Sequence, residues 1–322
     1  MKLFQRLSSI LVSLGLVVAS SAVCAQKFPE KPVKIVVPFA PGGGADMLAR
    51  TLSASLADMW GQPVVVENRA GASGNIGAEV VARSEPDGYT LLLTSSAFVI
   101  SPGMSNKLPF NVEKDFTPIT LAAELPNVLV VHPSVKANTA KELEALIRSK
   151  TTKISYASPG NGTGGHLAAE LFKQSAGVEI THIPYKGGGA VIADLLAGHV
   201  QMTFATLPSV IAYINADKVR ALALTTSKRA FINAPTMIES GYAGFDISTW
   251  LGFLGPANMP PALVEKLYQD IQKLMKSEGI ADKLKQQGML EVGMSPSEFA
   301  KKIIKDVDMY KKIIQKSGLK AG

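Results

Sequence analysis

The sequence predicts an α/β fold built on mainly parallel sheets. Short β-branched patterns alternate with helical patterns from residue 33 to beyond residue 220, and Gly- and Pro-rich turns join many of them. Such alternation is typical of βαβ units, in which consecutive strands run parallel. Hydrophobic residues make up 47% of the chain and charged residues 18%, which favours packed cores over disorder. The 322 residues are enough for two domains of ordinary size.

The first section of the chain contains three strand patterns and two helical ones. Apolar or β-branched runs occupy residues 33–37, 63–67 and 89–94, and helical patterns occupy residues 46–59 and about 76–83. Turn residues separate these segments, including Pro86-Asp87-Gly88 before the third strand. The order predicts two consecutive βαβ connections.

The middle section repeats the pattern. Thr139 is a candidate helix N-cap, and Glu142, three residues later, completes a capping box. The last section begins with a strand at 250–254 and continues with three Lys-rich amphipathic helices. In the middle section we predict strands at 128–131, 154–157, 180–183, 200–204 and 219–225, and helices at 139–149, 166–174 and 189–196.

Two boundaries divide the predicted elements, near Leu125-Pro126 and near Thr226-Ser227. We predict one lobe from residues 26–125 plus 226–322 and a second from residues 126–225. Two crossings of the chain would make a hinge that opens and closes around a ligand. Periodicity alone supports the α/β class but does not show that the tail returns to the first lobe.

The N-terminus has the features of a secretory signal. Lys2 and Arg6 precede a short apolar run at residues 10–19, and Val23-Cys24-Ala25 offers a small-residue cleavage site. We therefore predict a signal peptide over residues 1–25, cleaved after Ala25. An uncleaved anchor helix and a lipoprotein attached through Cys24 are the alternatives.

Composition narrows the chemistry of the exported chain. Cys24 is the single cysteine, so the mature chain would have no disulfide and no thiolate nucleophile. The formal net charge is +7, and removal of Lys2 and Arg6 leaves +5, which favours encounter with anions. Basic residues are scattered without interleaved aromatics, so we expect no nucleic-acid partner.

Three Gly-rich loops each follow a predicted strand and open a predicted helix, at residues 38–46, 158–166 and 185–189. Ligands in open α/β sheets lie beyond the carboxyl ends of the strands, where such loops occur. The first amides of a helix lack internal partners and, with the helix dipole, form an anion site. The loops therefore predict capture of one or two carboxylates; tight connections without a ligand are the alternative.

Individual side chains in these loops have two interpretations each. Ser158 and Thr163 could donate hydroxyl hydrogen bonds to a ligand. His166 could donate to a ligand or cap its own helix, and Asp46 could cap its helix or contact a ligand. The aromatic residues near strand ends could wall a ligand or belong to the core; these are Phe39, Phe98, Tyr185 and Trp250.

The sequence gives little support for a dinucleotide site, a P-loop, a nucleophile elbow or a metal site. Gly160 to Gly165 match G-x-G-x-x-G, but the next strand ends at Lys186 without the acidic residue that a dinucleotide site requires. There is no G-x-x-x-x-G-K-[ST] and no G-x-S-x-G, and the histidines lack metal-ligand spacing. We expect no cofactor and no metal.

Six sequence runs carry a family resemblance: PFAPGGGAD at 38–46, VENRAGASGNIG at 66–77, PDGYTLL at 86–92, YASPGNGTGGHL at 156–167, IPYKG at 183–187 and DLLAG at 194–198. Through these runs the chain resembles the tripartite tricarboxylate transporter solute receptors, also called Bug receptors, over essentially the whole mature chain. The resemblance implies a periplasmic, two-lobed Venus-flytrap fold of the periplasmic-binding-protein type, with a ligand carboxylate held between the lobes.

The resemblance also implies which residues touch the ligand. Where similar receptors often carry Asp-Asn before Leu-Pro-Ser, this chain has Ala205-Thr206, so an ammonium group would find no carboxylate at Ala205. A mono- or dicarboxylic acid, aromatic acids included, is the ligand class that this departure favours. The ligand-binding candidates are Phe39, Ala40, Gly42, Gly43, Asp46, Ser95, Ser96, Ser158, Asn161, Gly162, Thr163, His166, Tyr185 and Thr206.

The family partner is a two-component membrane permease, and a sensor kinase is the alternative recipient of the captured ligand. We expect the receptor itself to be a monomer and not an enzyme. Two other hypotheses stay open at this point: an exported α/β hydrolase, and a module that docks a membrane sensor.

Overall fold

The architecture comes from a computed structural model that describes residues 28–105 and 107–317. The predicted signal peptide, its cleavage site and Cys24 lie outside these residues. Contacts separate Met1–Glu30 from Lys31–Gly322, and all elements described below belong to the second unit. Within the described residues, no helix is both long and apolar enough to cross a bilayer.

Strands and helices alternate as predicted. The strands are β1 (Val33–Val37), β2 (Val64–Asn68), β3 (Thr90–Ser95), β4 (Phe116–Val131), β5 (Ser155–Ser158), β6 (Thr181–Pro184), β7 (Met202–Thr206), β8 (Arg220–Leu224), β9 (Ser248–Pro256) and β10 (Leu290–Met294). The helices are α1 (Gly44–Trp60), α2 (Asn75–Ala82), α3 (Ala97–Met104), α4 (Ala140–Ser149), α5 (Gly164–Ala176), α6 (Gly188–Leu196), α7 (Leu207–Asn215), α8 (Pro261–Met275), α9 (Glu278–Gln286) and α10 (Pro296–Ser317).

The strands form one continuous path in the order β2-β1-β3-β9-β4-β7-β5-β6, with β8 and β10 also paired to β4. β2, β1 and β3 are parallel neighbours, and so are β6, β5 and β7. Between these groups β9 and β4 run antiparallel to their neighbours. We call the β1–β3 side with β9 and β10 the first half, and the β5–β8 side the second half.

β4 links the two halves. Its early residues pair with β9 and β10, and its last residues, from Asn127 to Val131, pair with β7 and β8. The sequence predicted only residues 128–131 as a strand, because Pro118 and Pro126 interrupt the earlier β pattern. The earlier residues become a strand through pairing with β9, which is more than 120 residues away in sequence.

The segment after β8 stays with the second half. Met237, Tyr242 and Phe245 are buried in the same core cluster as Tyr156 and Phe172. The chain then enters the first half at β9. We therefore propose a second boundary near residues 247–248 rather than at Thr226-Ser227, because the packed side chains of residues 237–245 belong to the second core.

The tail returns to the first half, which periodicity could not show. α10 packs against α3 and β4. Phe299 of α10 meets Trp250 of β9 edge to face, and the Trp250 indole N–H donates to Asp306 at 3.0 Å. Trp250, considered as a ligand wall, is therefore a core residue, and so is Phe98, which packs with Phe110 and Phe116.

Candidate functional site

The centre of the sheet carries a patch of polar and apolar side chains on one face. In the antiparallel pairing, Asn127 of β4 stands opposite Thr206 of β7, and Leu125 of β4 stands opposite Thr249 of β9. Opposite residues of antiparallel strands project to the same face, with Cβ atoms about 5 Å apart. Leu125 and Asn127 are two residues apart on one strand and share that face as well. The four side chains form the floor of a cavity.

The N-termini of α1, α5 and α6 surround this floor. The cavity lining includes Gly43–Ala45 at the start of α1, Thr163–Gly165 at the start of α5, and Gly188 at the start of α6. The first N–H groups of a helix have no partner inside the helix, and the helix dipole places partial positive charge there. The backbone thus directs positive ends from both halves toward one space.

The cavity is small and uncharged. Its volume is about 60 Å³, enough for only a few non-hydrogen atoms of a ligand in this arrangement. Within the described part of the chain, the lining contains no Asp, Glu, Lys, Arg or His. The remaining lining residues are Phe39, Ser95, Pro159, Phe204 and Leu251.

Asp46 braces the first glycine loop and does not line the cavity. Its buried carboxylate accepts hydrogen bonds from Gly42 N–H at 3.0 Å, from Asn68 Nδ2 at 2.9 Å and from Arg50 Nε at 3.0 Å. Burial would raise the pKa of Asp46, but the hydrogen bonds from Arg50, Gly42 and Asn68 outweigh it and hold the pKa below its ordinary value. Asp46 fixes the loop in the conformation that presents the start of α1.

Hydroxyl groups brace the second loop in the same way. Thr163 is the N-cap of α5: its Oγ1 accepts from His166 N–H and donates to Gly160 O at 2.8 Å. Ser158 is fully buried, and its Oγ lies 3.2 Å from both Gly160 N and Gly160 O. Gly160 has a φ of 140°, which a residue with a side chain rarely adopts.

The buried His166 accepts a hydrogen bond from its own loop and belongs to a stack of aromatic rings. Its Nδ1 accepts from Gly162 N–H at 3.0 Å. Its ring stacks on His182 with centroids 4.4 Å apart, and His182 stacks on Tyr156 at 4.6 Å. Burial lowers the pKa of His166; burial, followed by the proximity of His166, lowers the pKa of His182 to about 4. Both rings are therefore neutral at neutral pH.

Ser158 and His182 have the spacing of a nucleophile and a base, with Oγ and Nε2 2.7 Å apart. Ser158 is 0% exposed, and neither residue lines the cavity. The pair therefore supports the strand ends under the loop and has no access to a substrate in this arrangement.

The glycine loops of the two halves touch. Ala40 N–H donates to Lys186 O at 3.1 Å. A Cβ built on Gly42 would lie 3.6 Å from Gly189 Cα, and one built on Gly43 would lie 3.7 Å from Gly188 N. Backbone from the first and third loops is thus in van der Waals contact over the cavity.

The structure brings only some of the predicted ligand residues to the cavity. Phe39, Gly43, Ser95, Thr163 and Thr206 line it. The other candidates are not among its lining residues: Ala40, Gly42, Asp46, Ser96, Ser158, Asn161, Gly162, His166 and Tyr185.

The hydroxyl groups of Tyr185 and Ser96 have surroundings that the structure defines. The Tyr185 hydroxyl donates to Asp194 at 2.5 Å, which turns it away from the cavity. Ser96 is buried at the N-cap of α3, and its hydroxyl has no partner among the described residues.

Sequence reasoning missed Asn127 and Thr249. Gly164, Gly165 and Gly188 lie in the predicted glycine loops but were not among the ligand-binding candidates. Asn127 directly follows the boundary predicted at residues 125–126, so a buried polar residue at the crossing was the available signal. Ala205 lies on the opposite face of β7 in the core, so its missing carboxylate does not alter the cavity wall.

A larger cavity of about 580 Å³ lies elsewhere, between α5, the chain at residues 244–247 and α10. It is lined by the C-terminal turns of α5 and by the acids Glu170, Glu179 and Asp246, with Lys173 as the basic residue. Helix C-termini and carboxylates both disfavour an anion. No cluster of three or more metal-ligating side chains occurs within residues 28–105 and 107–317.

Comparison with protein families gives a match over residues 48–319 to the family described as "Tripartite tricarboxylate transporter family receptor". Among curated proteins, the chain is similar to protein BugT of Bordetella pertussis. The two are 34% identical over 324 residues, which cover 98% of this chain and 99% of BugT.

Several solved structures are also similar to this chain over about 90% of its length. The periplasmic binding protein BugD has 33% identity and a TM-score of 0.88, covering 91% of this chain and 99% of BugD. An R. palustris protein with adipate has 33% identity and a TM-score of 0.87, covering 90% and 98%. MatC from Rhodopseudomonas palustris with bound malate has 27% identity and a TM-score of 0.84, covering 89% and 100%. These likenesses confirm the predicted α/β, periplasmic-binding-protein fold.

Proposed function

From its membership of the tripartite tricarboxylate transporter family of receptors, to which the chain belongs, we propose that it captures a small carboxylate in the cavity described above. The observation that carries this proposal is the convergence of the N-termini of α1, α5 and α6 on a space lined by uncharged residues. Partial positive charge from the backbone would hold the anion without a basic side chain.

The energetics are sufficient for a receptor. A hydrogen bond to a charged group contributes about 1.5–3 kcal/mol net. Four to six such bonds total about 6–18 kcal/mol, a range that includes the roughly 8 kcal/mol that micromolar affinity requires. The adipate and malate in the two R. palustris structures are small dicarboxylic acids, whose negative charge such a set of amides would stabilise.

We propose that the two halves act as lobes that close on the ligand. The first lobe would comprise residues 26–125 and the C-terminal part from about residue 248, and the second the residues between. β4 and the entry into β9 would be the hinge segments, because the chain passes between the halves there. The contact between Ala40 and Lys186 would belong to the closed state.

We propose export to the periplasm after cleavage at Ala25, and delivery of the ligand to membrane permease subunits or to a sensor kinase, by a monomeric receptor. Binding without turnover fits the Ser158–His182 pair, because the Ser158 hydroxyl is fully buried and neither residue lines the cavity.

A thermal-shift screen tests the proposal. The protein, purified from the periplasm of expressing cells, is heated with adipate, succinate, malate and aromatic acids, and with the neutral diamide of succinate and sugars as controls. A ligand at 100 times its Kd adds about 2.7 kcal/mol, which would raise Tm by several degrees. The proposal predicts that at least one acid raises Tm and that the diamide does not. A shift with sugars or the diamide and with no acid would contradict it.

A further inference from the structure

The floor of the cavity presents three buried or half-buried polar side chains whose hydrogen bonds can be counted one proton at a time: Asn127, Thr206 and Thr249. Each has a partner within the protein. The protons and lone pairs that these bonds do not use are available to a ligand.

Asn127 has one N–H to spare. Its Oδ1 accepts from Thr249 Oγ1 at 3.2 Å, and its Nδ2 donates to Ile247 O at 3.4 Å. A carboxamide nitrogen carries two protons, so one remains. Asn127 is 0% exposed, and a Cβ built on Gly164 would lie 3.6 Å from its Nδ2, so the nitrogen is beside the start of α5. The spare N–H is a buried donor without a protein partner among the described residues.

Thr206 has lone pairs to spare. Ser209 Oγ donates its proton to Thr206 O at 2.7 Å. The contact of 3.3 Å between the two hydroxyl oxygens therefore uses the Thr206 proton. Thr206 Oγ1 lies 3.4 Å from a Cβ built on Gly44, which places it beside the start of α1. It is left as an acceptor.

We propose that this donor and this acceptor, on neighbouring strands, select a hydroxy-carboxylate. The proposal rests on the proposed function, since the carboxylate is held by the helix N-termini. The ligand hydroxyl would donate to Thr206 Oγ1 and accept from Asn127 Nδ2, whose residues stand opposite each other with Cβ atoms about 5 Å apart. One oxygen can bridge that gap.

None of the three alternative groups, a carboxylate oxygen, a methylene or an ammonium group, fits both partners. A carboxylate oxygen or a methylene gives Thr206 Oγ1 no proton, and a methylene also leaves the Asn127 N–H unpaired, which is costly in a buried site. An ammonium group donates but cannot accept, and the lining residues in the described chain provide no carboxylate to neutralise it. The hydroxyl is the group that does both.

Isothermal titration with matched acids tests the inference. The probes are L- and D-malate against succinate and L-aspartate, lactate against propionate, and mandelate against phenylacetate. We expect at least one hydroxy acid to bind about tenfold more tightly than its deoxy partner, the effect of one satisfied buried pair, and aspartate to bind more weakly than malate.

Substitution at Thr206 separates recognition of the hydroxyl from capture of the carboxylate. Thr206→Val keeps the side-chain shape and removes the acceptor, so it should weaken binding of the hydroxy acid about tenfold and abolish the preference over its deoxy partner. Thr206→Ser should retain the preference. Thr151→Val, on an exposed turn, is the matched control for a Thr-to-Val change and should behave as the unaltered protein does.

The outcomes distinguish the two proposals. If deoxy acids bind as tightly as hydroxy acids in every pair, or if Thr206→Val weakens both members equally, the hydroxyl inference is overturned while carboxylate capture stands. If no carboxylate binds, the proposed function fails and this inference fails with it.

Discussion

Gly189, in the first turn of α6, lies against Pro41 of the first glycine loop so closely that a Cβ at residue 189 would overlap the Pro41 carbonyl oxygen. The two residues belong to opposite halves of the sheet. Gly189 has no positive φ, so its backbone would accept any residue. The requirement for glycine at 189 therefore comes from the approach of the two halves and not from the local fold.

Gly189→Ala should separate closure from stability. Alanine is favoured over glycine within helices by up to about 1 kcal/mol, so Tm should stay level or rise. The added methyl group would hold the halves apart, and we expect ligand affinity, measured by isothermal titration, to fall by tenfold or more. Gly279→Ala is the matched control, because a Cβ at Gly279 in α9 meets nothing within 4 Å. Unchanged affinity in Gly189→Ala would argue against closure through this contact.

Asp46→Asn should weaken the first loop in a pH-dependent way. The carboxylate is stabilised in the folded protein by Arg50, Gly42 and Asn68, so its pKa is lower when folded than when unfolded. The resulting stability is complete above the unfolded value of about 4 and is lost as the pH falls below it. We expect the substitution to cost about 1–3 kcal/mol at pH 7 and less near pH 3.

Urea unfolding at the two pH values measures this effect. Asp58→Asn, on the exposed side of the same helix, is the control and should cost little at either pH. An Asp46→Asn penalty that is the same at pH 3 and pH 7 would show that the charge of Asp46 does not brace the loop.

Protonation of His182, which stacks on the buried His166, should destabilise the protein in mild acid. Burial, with His166 adjacent, lowers the folded pKa of His182 to about 4, whereas an unfolded histidine titrates near 6.5. The unfolded chain therefore binds a proton first, and stability is full above about pH 6.5 and falls toward pH 4.

His182→Gln should lose less stability than the unaltered protein between pH 7 and pH 5. Each pH unit within the window corresponds to about 1.4 kcal/mol at most. His199→Gln, at an exposed position, is the control and should retain the full dependence. Equal pH dependence in all three proteins would exclude His182 as the source.

The local structure was largely predictable. β1 occupies the predicted residues, and Thr139 caps α4 by accepting from Glu142 N–H at 3.1 Å. Glu142 accepts from Asn138 N–H rather than from the cap residue, one position earlier than a capping box requires. α3 went unpredicted because it is apolar on nearly all sides and contains Pro102, which leaves no periodicity to detect.

The glycine loops were predictable because each combines a strand end, a turn and a helix start within a few residues. The floor of the cavity was not, because it depends on pairing across distance: Thr249 donates to Asn127 from 122 positions along the chain. For the same reason, Asp46 and His166 had two interpretations each until their partners were known. In the structure, both accept hydrogen bonds from backbone amides of the glycine loops.

Backbone amide shifts test the central claim most directly. The protein, labelled with 15N-glycine, is titrated with the acid that gives the largest rise in Tm. The account predicts saturable shifts of the Gly44, Gly164, Gly165 and Gly188 amides, with Gly279 unmoved. If these amides stay in place while Gly177 and Gly244, beside the larger cavity, shift, then the anion is not held by the helix N-termini.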